Sequence, residues 1–198
     1  SSQESKTESI LKELEGFHKA HPYRPGMPKA EVHMRFMKQV KPNVFDMYIE
    51  MLINERKIGR SGEYLHAPAY EIPKDAVFEK ASRTILETFE KAGYDFVRFS
   101  EIVFPKLPDG VKEDVLQVLI SDGTVVKIND EMYTLASYME KAKAKIIEKL
   151  QKDGLITIAE VRDMFGTSRK SAKPILEYMD SQKVTKKTGA ESERVAYL

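Results

Sequence analysis

The 198-residue sequence contains no cysteine and no tryptophan. Without a thiol, neither a disulfide framework nor a thiolate-bound metal is available, and the absence favours a reducing compartment. No apolar run approaches the roughly 20 residues that a membrane-crossing helix requires. The first residues, Ser1 to Lys6, lack the apolar stretch of a secretion signal. They also lack an initiator methionine, so the sequence is expected to be a piece of something longer. No Gly-x-x-x-x-Gly-Lys-Ser/Thr string and no dinucleotide-binding glycine fingerprint occurs. Only His18, His21, His33 and His66 remain for metal or acid–base chemistry. His18 and His21 lie three apart at a helix end without the further ligands that zinc takes, so packing or capping is their expected role. Asp109, Glu113 and Asp114 fit the acidic first turn of a helix, where the macrodipole favours them. Catalytic residues and metal ligands are therefore expected to be absent.

What is present is charge, nearly balanced at 32 Lys+Arg against 31 Asp+Glu but unevenly spread. Residues 1–73 carry 11 basic and 10 acidic side chains (+1), residues 74–136 carry 8 and 12 (−4), and residues 137–198 carry 13 and 9 (+4). A polyanion is drawn to the last third and repelled by the middle.

The chain also repeats itself. Leu52-Ile53-Asn54-Glu55-Arg56-Lys57-Ile58, Leu119-Ile120-Ser121-Asp122-Gly123-Thr124-Val125 and Tyr178-Met179-Asp180-Ser181-Gln182-Lys183-Val184 align without gaps at offsets of 67 and 59. Each block closes a helical pattern and opens a β-branched stretch. Upstream of each, apolar residues fall at helical spacing: Ile10, Leu14 and Phe17; Val77, Ala81, Ile85 and Phe89; Met139, Ala142, Ile146 and Leu150. Short second helices are predicted around 29–37, 99–104 and 158–165, and hairpin turns at Ser61-Gly62, Asn129-Asp130 and Thr188-Gly189. Helix, helix, helix, hairpin in about 60–70 residues is the winged-helix pattern. The expected fold is mainly α with small β-hairpins (α+β): three tandem winged-helix modules, 1–73, 74–136 and 137–198, in an elongated array. The first boundary is a linker signal, Ala67 to Pro73 with two prolines. The second, Leu135-Ala136-Ser137-Tyr138, has neither Pro nor Gly and predicts a stiffer junction, with Ser137 as N-cap.

Within the last module, Gly166 falls where a second helix should end and suits its left-handed C′ position. Thr167 or Ser168 then caps the third helix, with Arg169 and Lys170 on its first turn. Hydroxyls, free amides, a positive helix end and two cations make a phosphate-binding corner. Arg162 lies one turn before the break, Lys173 one turn after the start, and the wing adds Lys183, Lys186, Lys187 and Arg194. A lysine here opposes the helix dipole, which argues for a functional reason. The competing reading is a merely solvated basic face. Pro174 leaves two possibilities open: a kinked first turn, or a regular helix that starts nearer Lys173.

Gly166-Thr167-Ser168-Arg169-Lys170, followed by Pro174 to Asp180, resembles the last winged-helix module of bacterial selenocysteine-specific elongation factors (SelB). Phe17-His18-Lys19-Ala20-His21-Pro22-Tyr23-Arg24-Pro25-Gly26-Met27-Pro28-Lys29 is similar to that family's signature in an earlier module. The family often carries an aromatic where this chain has Ser171 and an aliphatic where it has Lys173. The resemblance implies the C-terminal arm of a translational GTPase, binding the SECIS stem-loop of selenoprotein mRNA and so tethering the GTPase–selenocysteyl-tRNA complex for UGA recoding. It implies RNA contacts at Arg162, Gly166, Thr167, Ser168, Arg169 and Lys170, and at Lys173, Lys186, Lys187 and Arg194 nearby. It further implies a cytoplasmic, monomeric, membrane-free molecule with ribosome and selenocysteyl-tRNA as partners through the parent protein. GTP and magnesium would belong to an N-terminal part outside these residues, and no cofactor or enzymatic activity to the fragment. RNA suits the site, since unstacked loop bases and backbone can be gripped where an A-form major groove cannot be entered. The alternatives are a DNA-binding winged-helix regulator and, above all for 1–136, a passive scaffold. With the cations concentrated at the end, residues 137–198 alone are expected to retain most RNA affinity.

Overall fold

The computed structural model describes residues 2–198, which form eight α-helices, one 3-10 turn and eight short strands. The chain divides into two compact units between Phe78 and Glu79. No helix among the described residues is long and apolar enough to cross a membrane.

The first unit runs α1 (Ser2–Ala20), β1 (Met27–Pro28), α2 (Lys29–Phe36), α3 (Pro42–Asn54), β2 (Gly59–Ser61) and β3 (Tyr64–His66). Ile10 and Leu14 of α1 meet Val32, Phe45, Ile49, Leu52 and Leu65 in one core, as their helical spacing predicts. Pro42 opens α3 at a position where a missing N–H costs nothing. β1 was not legible in advance: it adds a third strand to the hairpin, with Met27 opposite Leu65. Gly26 makes this approach possible. Its φ is +158°, and a Cβ there would lie 2.1 Å from the Leu65 carbonyl oxygen.

The proline-bearing stretch after β3 is strapped to the Phe17–Met27 motif. His18 Nε2 accepts from the Ala67 amide (3.0 Å) and its ring stacks on Tyr70 at 3.5 Å. Tyr70 donates to the Pro22 carbonyl (2.6 Å). Tyr23 donates to the Asp75 carboxylate (2.7 Å), which in turn accepts from the Phe78 amide (2.9 Å). Burial and that carboxylate push the Tyr23 phenol up to about 12. The Phe78 amide bond, with Tyr23, holds the Asp75 carboxyl below its usual range. His18 therefore has the packing role expected of it.

The second unit holds two helix–hairpin sets. The first is α4 (Ala76–Ala92, its first turn at the division), a 3-10 turn (Phe99–Glu101), α5 (Val111–Ser121), β4 (Val125–Lys127) and β5 (Tyr133–Leu135). The second is α6 (Ala136–Asp153), β6 (Ile156–Thr157), α7 (Ile158–Met164), α8 (Arg169–Ser181), β7 (Thr185–Lys187) and β8 (Glu193–Ala196). The second helix expected over 99–104 is reduced to the 3-10 turn. Pro105 bars Phe104 from the α region and supplies no amide to a longer helix. β6 pairs β8 as β1 pairs β3, whereas the middle set has in that place only the Arg98–Met132 bridge.

Leu135, not Ser137, is the N-cap of α6, so strand passes to helix with no intervening loop. The core ignores that point as well. Phe96, Ile128 and Met132 share one cluster with Met139, Ala142, Ile146, Ile156, Val161, Ile175 and Met179. Cut at residue 137, the last set would leave that face bare, so the expectation that it works alone loses its physical basis.

Each third helix closes in the same way. The amides of Lys57, Thr124 and Val184 donate to the carbonyls of Leu52, Leu119 and Met179, at 2.9, 3.0 and 3.0 Å. The residue before each donor has positive φ: Arg56 (59°), Gly123 (82°) and Lys183 (59°). This is the six-to-one bond of a Schellman closure. It pairs Leu52 and Leu119 with Met179, so the third block slips by one residue and the second offset is 60 rather than 59.

Candidate nucleic-acid interface

Of the three helices that precede a hairpin, only α8 opens with cations. α3 contains no Lys or Arg and exposes Val44, Met47 and Met51. α5 begins with Lys112 beside Glu113 and Asp114. α8 begins Arg169-Lys170, with Lys173 a turn later.

The entry to α8 is built by the turn before it. Thr157 and Glu160 form a reciprocal capping box at the start of α7, each side chain bonding the other's amide at 3.1 Å. Glu160 also pairs with Lys149 (2.6 Å), whose ammonium holds the carboxyl below its usual range. α7 closes at Gly166 with φ 60°, and the Thr167 amide donates to the Arg162 carbonyl at 3.0 Å. The expected left-handed Gly166 is what the structure contains.

Ser168 occupies the N-cap position in extended geometry, but its hydroxyl caps nothing. Its carbonyl accepts from the Ser171 and Ala172 amides (3.1 and 2.9 Å). The amides of Arg169 and Lys170 point out of the first turn, where no intrahelical acceptor exists. Ser168, Arg169 and Lys170 are all exposed, and neither cation has an ion-pair partner among the described residues. Pro174 sits inside a helix that nevertheless starts at Arg169, which settles the two possibilities above.

Thr167 faces the other way. Its hydroxyl lies 3.0 Å from the Tyr94 carbonyl and 2.5 Å from the Asp95 carboxylate, so it is spent on residues of the middle set. Ser171 is buried and its Oγ accepts from the Phe96 amide (3.1 Å), a bond no aromatic at that place would make. Lys173 is half-buried, and Arg162 is exposed beside Asp163 (3.1 Å). Lys186 and Lys187 are exposed on β7, the latter paired with Glu191 (3.1 Å), whose carboxyl it holds down.

Arg194 departs from expectation. It is fully buried, with Nε bonding both Asp180 oxygens (3.0 and 2.9 Å) and Nη1 donating to the Glu191 carbonyl at 2.6 Å. A guanidinium so enclosed ties the wing to α8 and has no surface to offer a phosphate. Sequence reasoning missed this because a charge count does not separate internal from external arginines. It also missed Tyr94, Asp95 and Phe96, for which no motif gives a signal.

Family models described as elongation factor SelB, winged helix, match the chain at residues 11–66 and again at 148–192. The chain belongs to the SelB winged-helix family. Its SelB relatives include the selenocysteine-specific elongation factor of Desulfomicrobium baculatum, 24% identical over 185 residues that cover 91% of this chain and 29% of the relative. That of Haemophilus influenzae is 20% identical over 188 residues, 94% of this chain and 30% of the relative. The chain thus spans under a third of the length of these relatives. A crystal structure of the bacterial selenocysteine-specific elongation factor EF-Sec matches 99% of this chain and 30% of its own at TM-score 0.58 and 17% identity, a likeness of fold. The mRNA-binding domain of E. coli SelB, solved with SECIS RNA, matches 59% of this chain and 97% of its own at TM-score 0.48 and 20% identity.

Proposed function

We propose that this chain is the SECIS-hairpin-binding part of a selenocysteine-specific elongation factor. In this reading it is a non-catalytic, cytoplasmic, monomeric arm built of modules 1–73, 74–136 and 137–198. It tethers a GTPase–selenocysteyl-tRNA complex, and through it the ribosome, to selenoprotein mRNA at UGA, with GTP and magnesium held outside these residues. Family membership supports the setting. The observation that carries the RNA reading is the entry to α8, where two unpaired cations and two free amides converge on exposed surface. Phosphate oxygens match that set of donors. Gly166, Ser168, Arg169 and Lys170 form its core, Lys173, Lys186 and Lys187 its flank and Arg162 its far edge, while Thr167 and Arg194 act from behind as supports.

Titration of the chain with a SECIS-type RNA hairpin and with its DNA equivalent tests this. RNA should bind tighter. Arg169→Ala and Lys170→Ala should each cost about 1–3 kcal/mol of affinity, the scale of one charge-assisted contact, with the melting temperature unchanged. Preference for DNA would favour a winged-helix regulator, and unchanged affinity in both variants would remove the corner.

A further inference from the structure

The α8 entry continues onto a second basic surface. Tyr138, Lys141 and Lys145 stand at i, i+3 and i+7 of α6 and so share one face. Tyr138 lies 5.5 Å from Tyr94, and Tyr94 lies 4.7 Å from Phe165, centroid to centroid. The Lys145 ammonium is 5.5 Å from the Phe165 centroid. Phe165 leads directly into Gly166 and Thr167, and the Thr167 hydroxyl bonds the Tyr94 carbonyl. A continuous strip therefore runs from α6 across the aromatic row to the turn that precedes α8.

The strip carries one carboxylate, that of exposed Asp95 at the Thr167 hydroxyl, but its two lysines are not neutralised by an ion pair. Lys141 and Lys145 are exposed and have no carboxylate at ion-pair distance among the described residues. Lys149, one turn on, is held by both Asp153 and Glu160. Like charges at i and i+4 repel each other along a helix face, so the Lys141–Lys145 pair runs against the stability of α6. A polyanion lying along the strip would remove that repulsion.

We infer that Lys141 and Lys145 form a second RNA contact, which holds the ribose–phosphate backbone of another stretch of the same hairpin. The inference rests on the hairpin-binding function proposed above. The ligand is backbone rather than base. Tyr138, Tyr94 and Phe165 are half-buried and tilted against one another at 35° and 41°, whereas both lysines are exposed, and lysine binds phosphate as a point charge. Tyr94 belongs to the middle set, which thereby shapes the interface.

The test uses the whole chain and a SECIS-type RNA hairpin, with affinity measured across a series of salt concentrations. Lys141→Ala and Lys145→Ala should each weaken binding about 3- to 10-fold and flatten the log–log salt slope by roughly 0.7–0.9, the value of one phosphate contact. Melting temperature should hold or rise. Lys143, also exposed and 200° around α6 from both, is the control for net charge, and Lys143→Ala should change affinity less than about 2-fold. Lys145→Arg should retain binding. Equal losses from Lys143→Ala, or no loss from Lys141→Ala and Lys145→Ala, overturns the strip. In either case a loss in Arg169→Ala leaves the α8 corner standing. A wild-type chain that binds no hairpin overturns both.

Discussion

Arg194 of β8 and Asp180 of α8 form a two-pronged ion pair, the guanidinium Nε meeting both carboxylate oxygens at 3.0 and 2.9 Å with no part of the arginine in solvent. Asp180 also accepts from the Thr185 hydroxyl at 2.6 Å, so strand, helix and wing share one acceptor. Removing one partner of such a pair leaves a buried charge uncompensated. Arg194→Ala is expected to cost about 3 kcal/mol, the lower end of the range because Asp180 keeps some solvent. Urea unfolding measures this. A variant that kept its stability but lost RNA binding would put Arg194 back among the contacts.

The shared core of the second unit makes a different prediction. Burying one large apolar side chain is worth about 1.5–3 kcal/mol. Losing Phe96, Ile128 and Met132 together removes an amount comparable to a small domain's whole stability of about 5–15 kcal/mol. A fragment of residues 137–198 should therefore lack a cooperative thermal transition, whereas residues 74–198 should melt as one. Circular dichroism melts distinguish them. A sharp transition in the short fragment would show that its own packing suffices.

His18 makes the first unit sensitive to acid. Burial, and then His66, lower its pKa below the ordinary 6.5. Its Nε2 must keep a lone pair to accept from Ala67. With the folded value depressed, the contribution is complete above pH 6.5 and is lost as pH falls through the lowered value. Amide-exchange protection at Ala67 should drop as pH falls below 6.5 in the wild type. His18→Gln, which accepts without titrating, should flatten that dependence. Flat protection in the wild type would refute the assignment.

The helices and hairpins were legible because their apolar residues recur at one period and their turns carry Gly, Asn or Asp. Gly166 was legible because glycine marks a left-handed closure. The same closure at Arg56 and Lys183 carries no such mark, and that is why the third block was set one residue out of register. β1 and β6 are two residues long, too short for alternation to show. Of the candidate site, the exposed Arg169 and Lys170 at the helix start followed from the sequence, whereas the capping hydroxyl expected of Thr167 or Ser168 is not found. The inward roles of Thr167, Ser171 and Arg194 depend on neighbours distant in the chain, which local pattern does not carry.

The stretch from Ala67 to Asp75 has the composition of a tether and the anchorage of a buttress. Three rings, those of His18, Tyr70 and Tyr23, pin it at successive points. Its length is thus matched to the spacing of its pegs. Inserting even a pair of residues would pull one ring from its seat, so this is a poor place to splice in a spacer despite its two prolines.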